Sequence, residues 1–169
     1  VCIGPGIAAA ESDWRVGVAR ELITPDQPRW MSGYGSRDRP ADGKLTELWA
    51  KAIAIEDQAG NRVVLVTLDL VGIDRETAGE IQSIVSERLG LPRKSLAIAT
   101  SHTHSGPVVG ENLRSMYFLD YSGWQLVRRY TRSLIDKVTQ LVERSLNDLQ
   151  PAELAWTVGR AHFAVNRRN

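Results

Sequence analysis

What most constrains the fold is a succession of three apolar runs with one amphipathic stretch set between the second and the third. Residues 47–57, "ELWAKAIAIED", and 62–72, "RVVLVTLDLVG", are rich in Val, Ile, Leu and Ala and are joined by the short connection "QAGN". Two such runs around a Gly-containing connection read as a β-hairpin. "DRETAGEIQSIVSERLG" then carries Ala78, Ile81, Ile84, Val85 and Leu89 at helical spacing, with Asp74 placed to cap the start and Gly90 to end it. "SLAIAT", residues 95–100, is a further buried strand. Both faces of the hairpin runs are largely apolar, so the sheet is expected to be covered on both sides.

The rest of the chain extends this α/β pattern. "WRVGVAREL" is a short strand, and a long helix runs from about Tyr121 to Leu146 with Tyr130, Leu134, Val138, Leu141 and Val142 on one face. "AELAWTVGRAHFAVN" reads as a last strand and completes a β-β-β-α-β-α-β order. Two long segments rich in Gly, Pro and polar residues stay irregular. Loops that long in a compact domain are uncommon unless they serve a function. Trp30 to Lys44 and Ser105 to Asp120 are therefore expected to line a site, with Gly33, Tyr34 and Gly35 bringing backbone and an aromatic ring close to a substrate.

Charge narrows the partners. Among 169 residues, 21 Lys and Arg face 20 Asp and Glu, a net charge of +1, so no basic excess points to nucleic acid or to an anionic membrane surface. No stretch reaches the roughly 18 to 20 apolar residues of a transmembrane helix. The single cysteine, Cys2, cannot form an internal disulfide. The opening "VCIGPGIAAAES" has an apolar run, then Ala8, Ala9 and Ala10, then polar residues, which is the pattern at the end of a secretory signal. Residues 1–10 are thus expected to be a signal-peptide remnant, residues 11–169 the α/β domain, and the mature chain secreted or periplasmic. "HFAVNRRN" stops soon after an apolar run with no turn signal, which suggests that the fold continues past Asn169.

The chemistry concentrates in "ATSHTHSGP", residues 99–107, which follows a buried strand directly. Residues two apart on an extended backbone point to one side, so His102 and His104 can converge on a metal or a substrate. A catalytic zinc takes three protein ligands and leaves a position open, and two histidines do not complete that set. The alternative is that both rings bond to loop carbonyls and shape a turn. Gly106 and Pro107 favour a site, because they allow close backbone approach and hold the turn rigid. Asp69, at the end of "VVLVTLD", would share the sheet edge with the histidines if the strands flanking the first helix are parallel, and could orient an imidazole or cap a turn. His162 alternates with apolar residues in "GRAHFAV" and reads as a strand histidine on a solvated face.

The order of "VGVARELITP", "MSGYGSR", the hairpin, "SHTHSGP" and "FAVNRR" resembles the N-terminal part of the neutral/alkaline non-lysosomal ceramidases, zinc amidases that hydrolyse N-acylsphingosines. The resemblance implies a fold in which mixed β-sheets are sandwiched between helical layers, with only the N-terminal part present here. It implies Zn2+ as cofactor, His102 as a zinc ligand, His104 beside the scissile amide, and Arg167 near the active site. It also implies hydrolysis of a lipid-like amide by metal-activated water. The family's other ligands, a His, a Glu and a Tyr, and its serine lie further along a longer domain. Two other readings remain: a catalytically incomplete binding or structural domain, and an exported hydrolase of another amide or ester. An H-x-H of the metallo-β-lactamase type continues with H-x-D-H, whereas Gly106 and Pro107 stand at the corresponding places here.

Overall fold

A computed structural model describes residues 13–163 and 165. It is an α/β fold built on one mixed sheet of five strands, ordered β4-β3-β2-β1-β5. β1 is Trp14–Leu22, β2 Trp49–Asp57, β3 Arg62–Leu68, β4 Leu96–Thr100 and β5 Gln150–Ala152. β1, β2 and β3 form an antiparallel meander, and β3 and β4, which flank the first helix, pair in parallel with Leu68 opposite Thr100. The hairpin closes through Asp57, whose Oδ1 accepts the Ala59 and Asn61 N–H groups, while Gly60 takes φ +80°. That positive φ is why glycine stands in the turn.

Helix α1, Arg75–Leu89, begins where Asp74 accepts the Thr77 N–H and ends at Gly90 in the left-handed region. Helix α2, Tyr121–Asn147, begins at Asp120, which accepts the Gly123 N–H at 2.7 Å. Side-chain caps of this kind satisfy amide donors that a helix cannot bond internally. The α2 residues at helical spacing, Tyr130, Leu134, Val138, Leu141 and Val142, are all buried. They share one core with Ile81 and Val85 of α1 and with Ala50, Ala52, Ala54, Val64, Val66 and Leu68 of the sheet.

Among the described residues, both helices lie on that one face. Coverage on both sides is not seen: Val18, Ile53, Val63 and Leu65 point the other way, and part of that face forms a shallow trough of about 540 Å³. Alternation along β3 explains the division, because Val64, Val66 and Leu68 are buried while Val63, Leu65 and Thr67 between them are exposed. The strand expected from Ala152 onward does not form among the described residues; β5, Gln150–Ala152, ends where it was to begin. β5 pairs with Trp14 to Val16 only, and the next edge donor of β1, the Val18 N–H, is bonded by Asp148 Oδ2 at 2.9 Å. Residues 153–163 form no regular structure and stay exposed, Trp156 and Phe163 to 88% each.

The end of α2 reaches β1 at Gly17. A Cβ there would stand 2.9 Å from the Asp148 carbonyl carbon and closer still to the Ser145 carbonyl oxygen, and both are backbone atoms that cannot rotate away. Gly17→Ala is therefore expected to lower the unfolding free energy by about 3 kcal/mol, the upper range for overpacking. Denaturant titration measures it, and a change below about 0.5 kcal/mol would show that the contact relaxes freely.

Candidate functional site

The site forms where β3 and β4 end. The Ser101 N–H makes the last sheet-like bond, to the Leu68 carbonyl at 3.0 Å, and the chain then turns. His102 sits at φ +56°, in the left-handed region that non-glycine residues seldom enter. The two histidines are therefore not side by side on an extended strand. They meet across this kink instead, with ring centroids 5.0 Å apart and planes at 71°.

His102 Nδ1 lies 2.8 Å from the Val71 carbonyl oxygen. A carbonyl only accepts, so Nδ1 carries a proton here, and in the neutral ring that leaves the lone pair on Nε2. His104 is packed more closely. Its ring stands edge-on to Tyr34, with centroids 4.7 Å apart and planes at 73°. Gly33, at φ +107°, lies flat against it: a Cβ on Gly33 would come within 2.7 Å of His104 Cβ and 2.8 Å of Nδ1.

Both long loops converge here. Met31 and Pro107 form an antiparallel bridge, flanked by Ser32 N–H to Gly106 O at 2.8 Å and Val108 N–H to Trp30 O at 2.9 Å. Tyr117, buried, bonds through its hydroxyl to Ser32 Oγ and to the Gly33 N–H. The second loop is tied in turn to α1, because Asp74 Oδ2 accepts the Glu111 N–H at 3.0 Å and the Thr77 hydroxyl at 2.9 Å.

Burial disfavours the charged form of Asp74, but the bonds from the Thr77 N–H, the Thr77 hydroxyl and the Glu111 N–H outweigh it and hold the carboxyl below its usual range. A carboxyl pKa depressed by folding contributes stability above its unfolded value, and that contribution is lost as pH falls through the folded value. Asp74→Ala is expected to cost about 1 kcal/mol at neutral pH, as loss of an N-cap does, with the gap to wild type narrowing below about pH 4. Urea titrations at pH 7 and pH 3 measure it. A gap of the same size at both would show that the charge contributes nothing.

Asp69 shares the sheet edge, as the parallel pairing requires, but its carboxylate accepts the Trp49 N–H at 2.9 Å and caps the start of β2. The contact that orients His102 comes from the Val71 main chain, so for this ring the bond to a loop carbonyl weighed in the sequence is present. His162 is exposed, though not on a strand. Arg167 and residues 1–10 lie outside the described residues. Among the described residues, no group of three His, Cys, Asp or Glu is placed to hold a metal ion, and no helix is long and apolar enough to cross a membrane. Tyr117 and Arg37, whose Nη2 donates to the His104 carbonyl at 2.7 Å, fall within the two loops expected to line a site but were not singled out in them. Their position within Gly-rich and aromatic loop segments was the available signal.

Comparison with known proteins shows the family. Residues 14–169 match the family described as "Neutral/alkaline non-lysosomal ceramidase, N-terminal". The neutral ceramidase of Pseudomonas aeruginosa is 29% identical over 167 residues, covering 95% of this chain and 24% of that protein. Neutral ceramidase 2 of Arabidopsis thaliana is 28% identical over 139 residues, covering 80% of this chain and 18% of that one. The crystal structure of the Pseudomonas aeruginosa enzyme superposes with a TM-score of 0.68 at 26% identity, over 83% of this chain and 22% of that one. The chain thus spans about a quarter of the length of the Pseudomonas relative. On a match that runs from the first described strand to the last residue, the chain belongs to the neutral/alkaline non-lysosomal ceramidase family.

Proposed function

We propose that this chain supplies part of the active site of an exported zinc amidase that cleaves N-acylsphingosines, with His102 as a metal ligand and His104 as a substrate-facing imidazole. The observation that carries the proposal is the bond from His102 Nδ1 to Val71 O, which leaves Nε2 of an exposed ring, 5.0 Å from the His104 ring between centroids, as the nitrogen for a metal. Metal-ligating histidines characteristically anchor their other ring nitrogen in this way. The imidazole donor fits zinc, and among the described residues no three His, Cys, Asp or Glu are grouped to complete such a site. Zinc, when bound, supplies Lewis acidity toward an amide carbonyl and a nucleophile at neutral pH. The chain's own contribution is position. Gly33 and Tyr34 fix the His104 ring, and a fixed imidazole can donate a hydrogen bond or a proton to the charge that develops as the amide is attacked. The two loops pair with each other beside it.

Release of sphingosine from an N-acylsphingosine by the complete polypeptide tests this reading. Activity lost to a chelator and restored by zinc is the expected result. Turnover of a different amide or ester alone would change the substrate assignment, and no turnover with zinc present would favour a binding or structural domain. Export rests on the Ala8–Ala10 pattern. Amino-terminal sequencing is expected to begin near Glu11, and a natural protein that retains Val1 would contradict export.

A further inference from the structure

We propose that Arg37 is a positioning residue that holds the His104 imidazole in place, through the His104 main chain on one side and the Tyr34 ring on the other. The inference rests on the substrate-facing role proposed for His104. Arg37 closes a turn in which its N–H donates to the Tyr34 carbonyl at 3.3 Å, and this folds the guanidinium back over the loop. From there Nη2 donates to the His104 carbonyl at 2.7 Å, while the guanidinium carbon lies 5.2 Å from the centre of the Tyr34 ring. Tyr34 in turn presses edge-on against His104 at 4.7 Å. One planar cation therefore contacts both the backbone that carries the imidazole and the aromatic ring that limits its rotation. Among the described residues no carboxylate pairs with Arg37; its other polar neighbour is the Met31 sulfur, 3.6 Å from Nη1.

Docking of the two loops does not depend on this arginine. The Met31–Pro107 bridge, the bonds flanking it and the Tyr117 hydroxyl join the loops independently. Loss of Arg37 should thus leave the fold and the His102 anchor intact and free the His104 ring locally. A guanidinium suits the task because it stacks on an aromatic face and donates in its own plane at once, which an ammonium does not.

The test uses Arg37→Met, Arg37→Lys, His104→Ala and the Arg37→Met/His104→Ala double variant of the complete polypeptide. Arg37→Met is expected to lower kcat about 10- to 100-fold, the range for misplacing a reacting group by about an ångström, with KM, zinc content and Tm unchanged. Arg37→Lys, which keeps a cation and a donor, is expected to recover part of the loss. In the His104→Ala background, Arg37→Met should add nothing, because a residue that acts through His104 has no effect once the ring is gone. In metal-free protein with labelled histidine and tyrosine, the NMR contact between the Tyr34 and His104 rings should vanish in Arg37→Met. Equal losses from Arg37→Met with and without His104 would overturn the proposal while leaving the His104 assignment standing. Unchanged ring contact in Arg37→Met would do the same. Full activity in His104→Ala would overturn both.

Discussion

Replacing His102 with alanine in the complete polypeptide is expected to lower amide hydrolysis by about 10³-fold or more. Lewis acidity is worth several kcal/mol in the transition state, and each roughly 1.4 kcal/mol is a factor of ten in rate. The variant should fold, because the His102 ring is exposed and its one bond in the structure is to the Val71 carbonyl. His162→Ala serves as the control: that ring is exposed on an irregular segment, and wild-type activity is expected. Comparable rates for His102→Ala and wild type, at matched Tm, would remove His102 from the site.

Gly33→Ala carries the second large effect, and it arises without touching a histidine. A methyl group at φ +107° is strained wherever it stands, and here it would also enter the space occupied by His104 Cβ and Nδ1. The loop cannot withdraw easily, since Ser32 on one side is bonded to Gly106 and Tyr117 holds the Gly33 N–H itself. The imidazole must therefore move, and kcat is expected to fall about 10²-fold while His102 keeps its anchor. Gly35→Ala separates this contact from a general loop effect, because a Cβ there meets only Met116 Cε at 3.5 Å, an ordinary distance. Steady-state kinetics on both variants decide the matter. Equal behaviour of the two would show that the approach of Gly33 to His104 has no functional weight.

Local signals carried much of the fold into the sequence. α1 was legible to its ends because Asp74 and Gly90 are caps whose chemistry acts within four residues, and the hairpin because Gly60 supplies the required positive φ. Features that depend on distant partners were not legible. The alternating pattern after Ala152 suits a strand, but a strand needs an edge, and Asp148 from the end of α2 already bonds the Val18 N–H. Apolar residues on both faces of β2 and β3 likewise could not show that both helices of the described residues settle on one side. At the site, the pairing of His102 with His104 and their place at the parallel strand ends followed from the motif and the strand order. A bond from an imidazole to a loop carbonyl and a capping role for Asp69 were among the alternatives the sequence left open, but the kink at His102 and the choice of Val71 and Trp49 as partners were not legible, because each depends on main-chain geometry.

The zinc-to-protein ratio of purified His102→Ala and His104→Ala tests the division of labour between the two imidazoles most directly. His102 has its Nδ1 on a carbonyl and its ring exposed, an arrangement suited to the ligand role proposed for it, whereas the His104 ring packs against Gly33 and Tyr34. Elemental analysis is expected to find His102→Ala nearly free of zinc. His104→Ala should keep close to the wild-type ratio while its rate falls about 10²- to 10³-fold, as loss of a donor to developing charge does. Equal loss of zinc from both variants would make His104 a ligand and contradict the account.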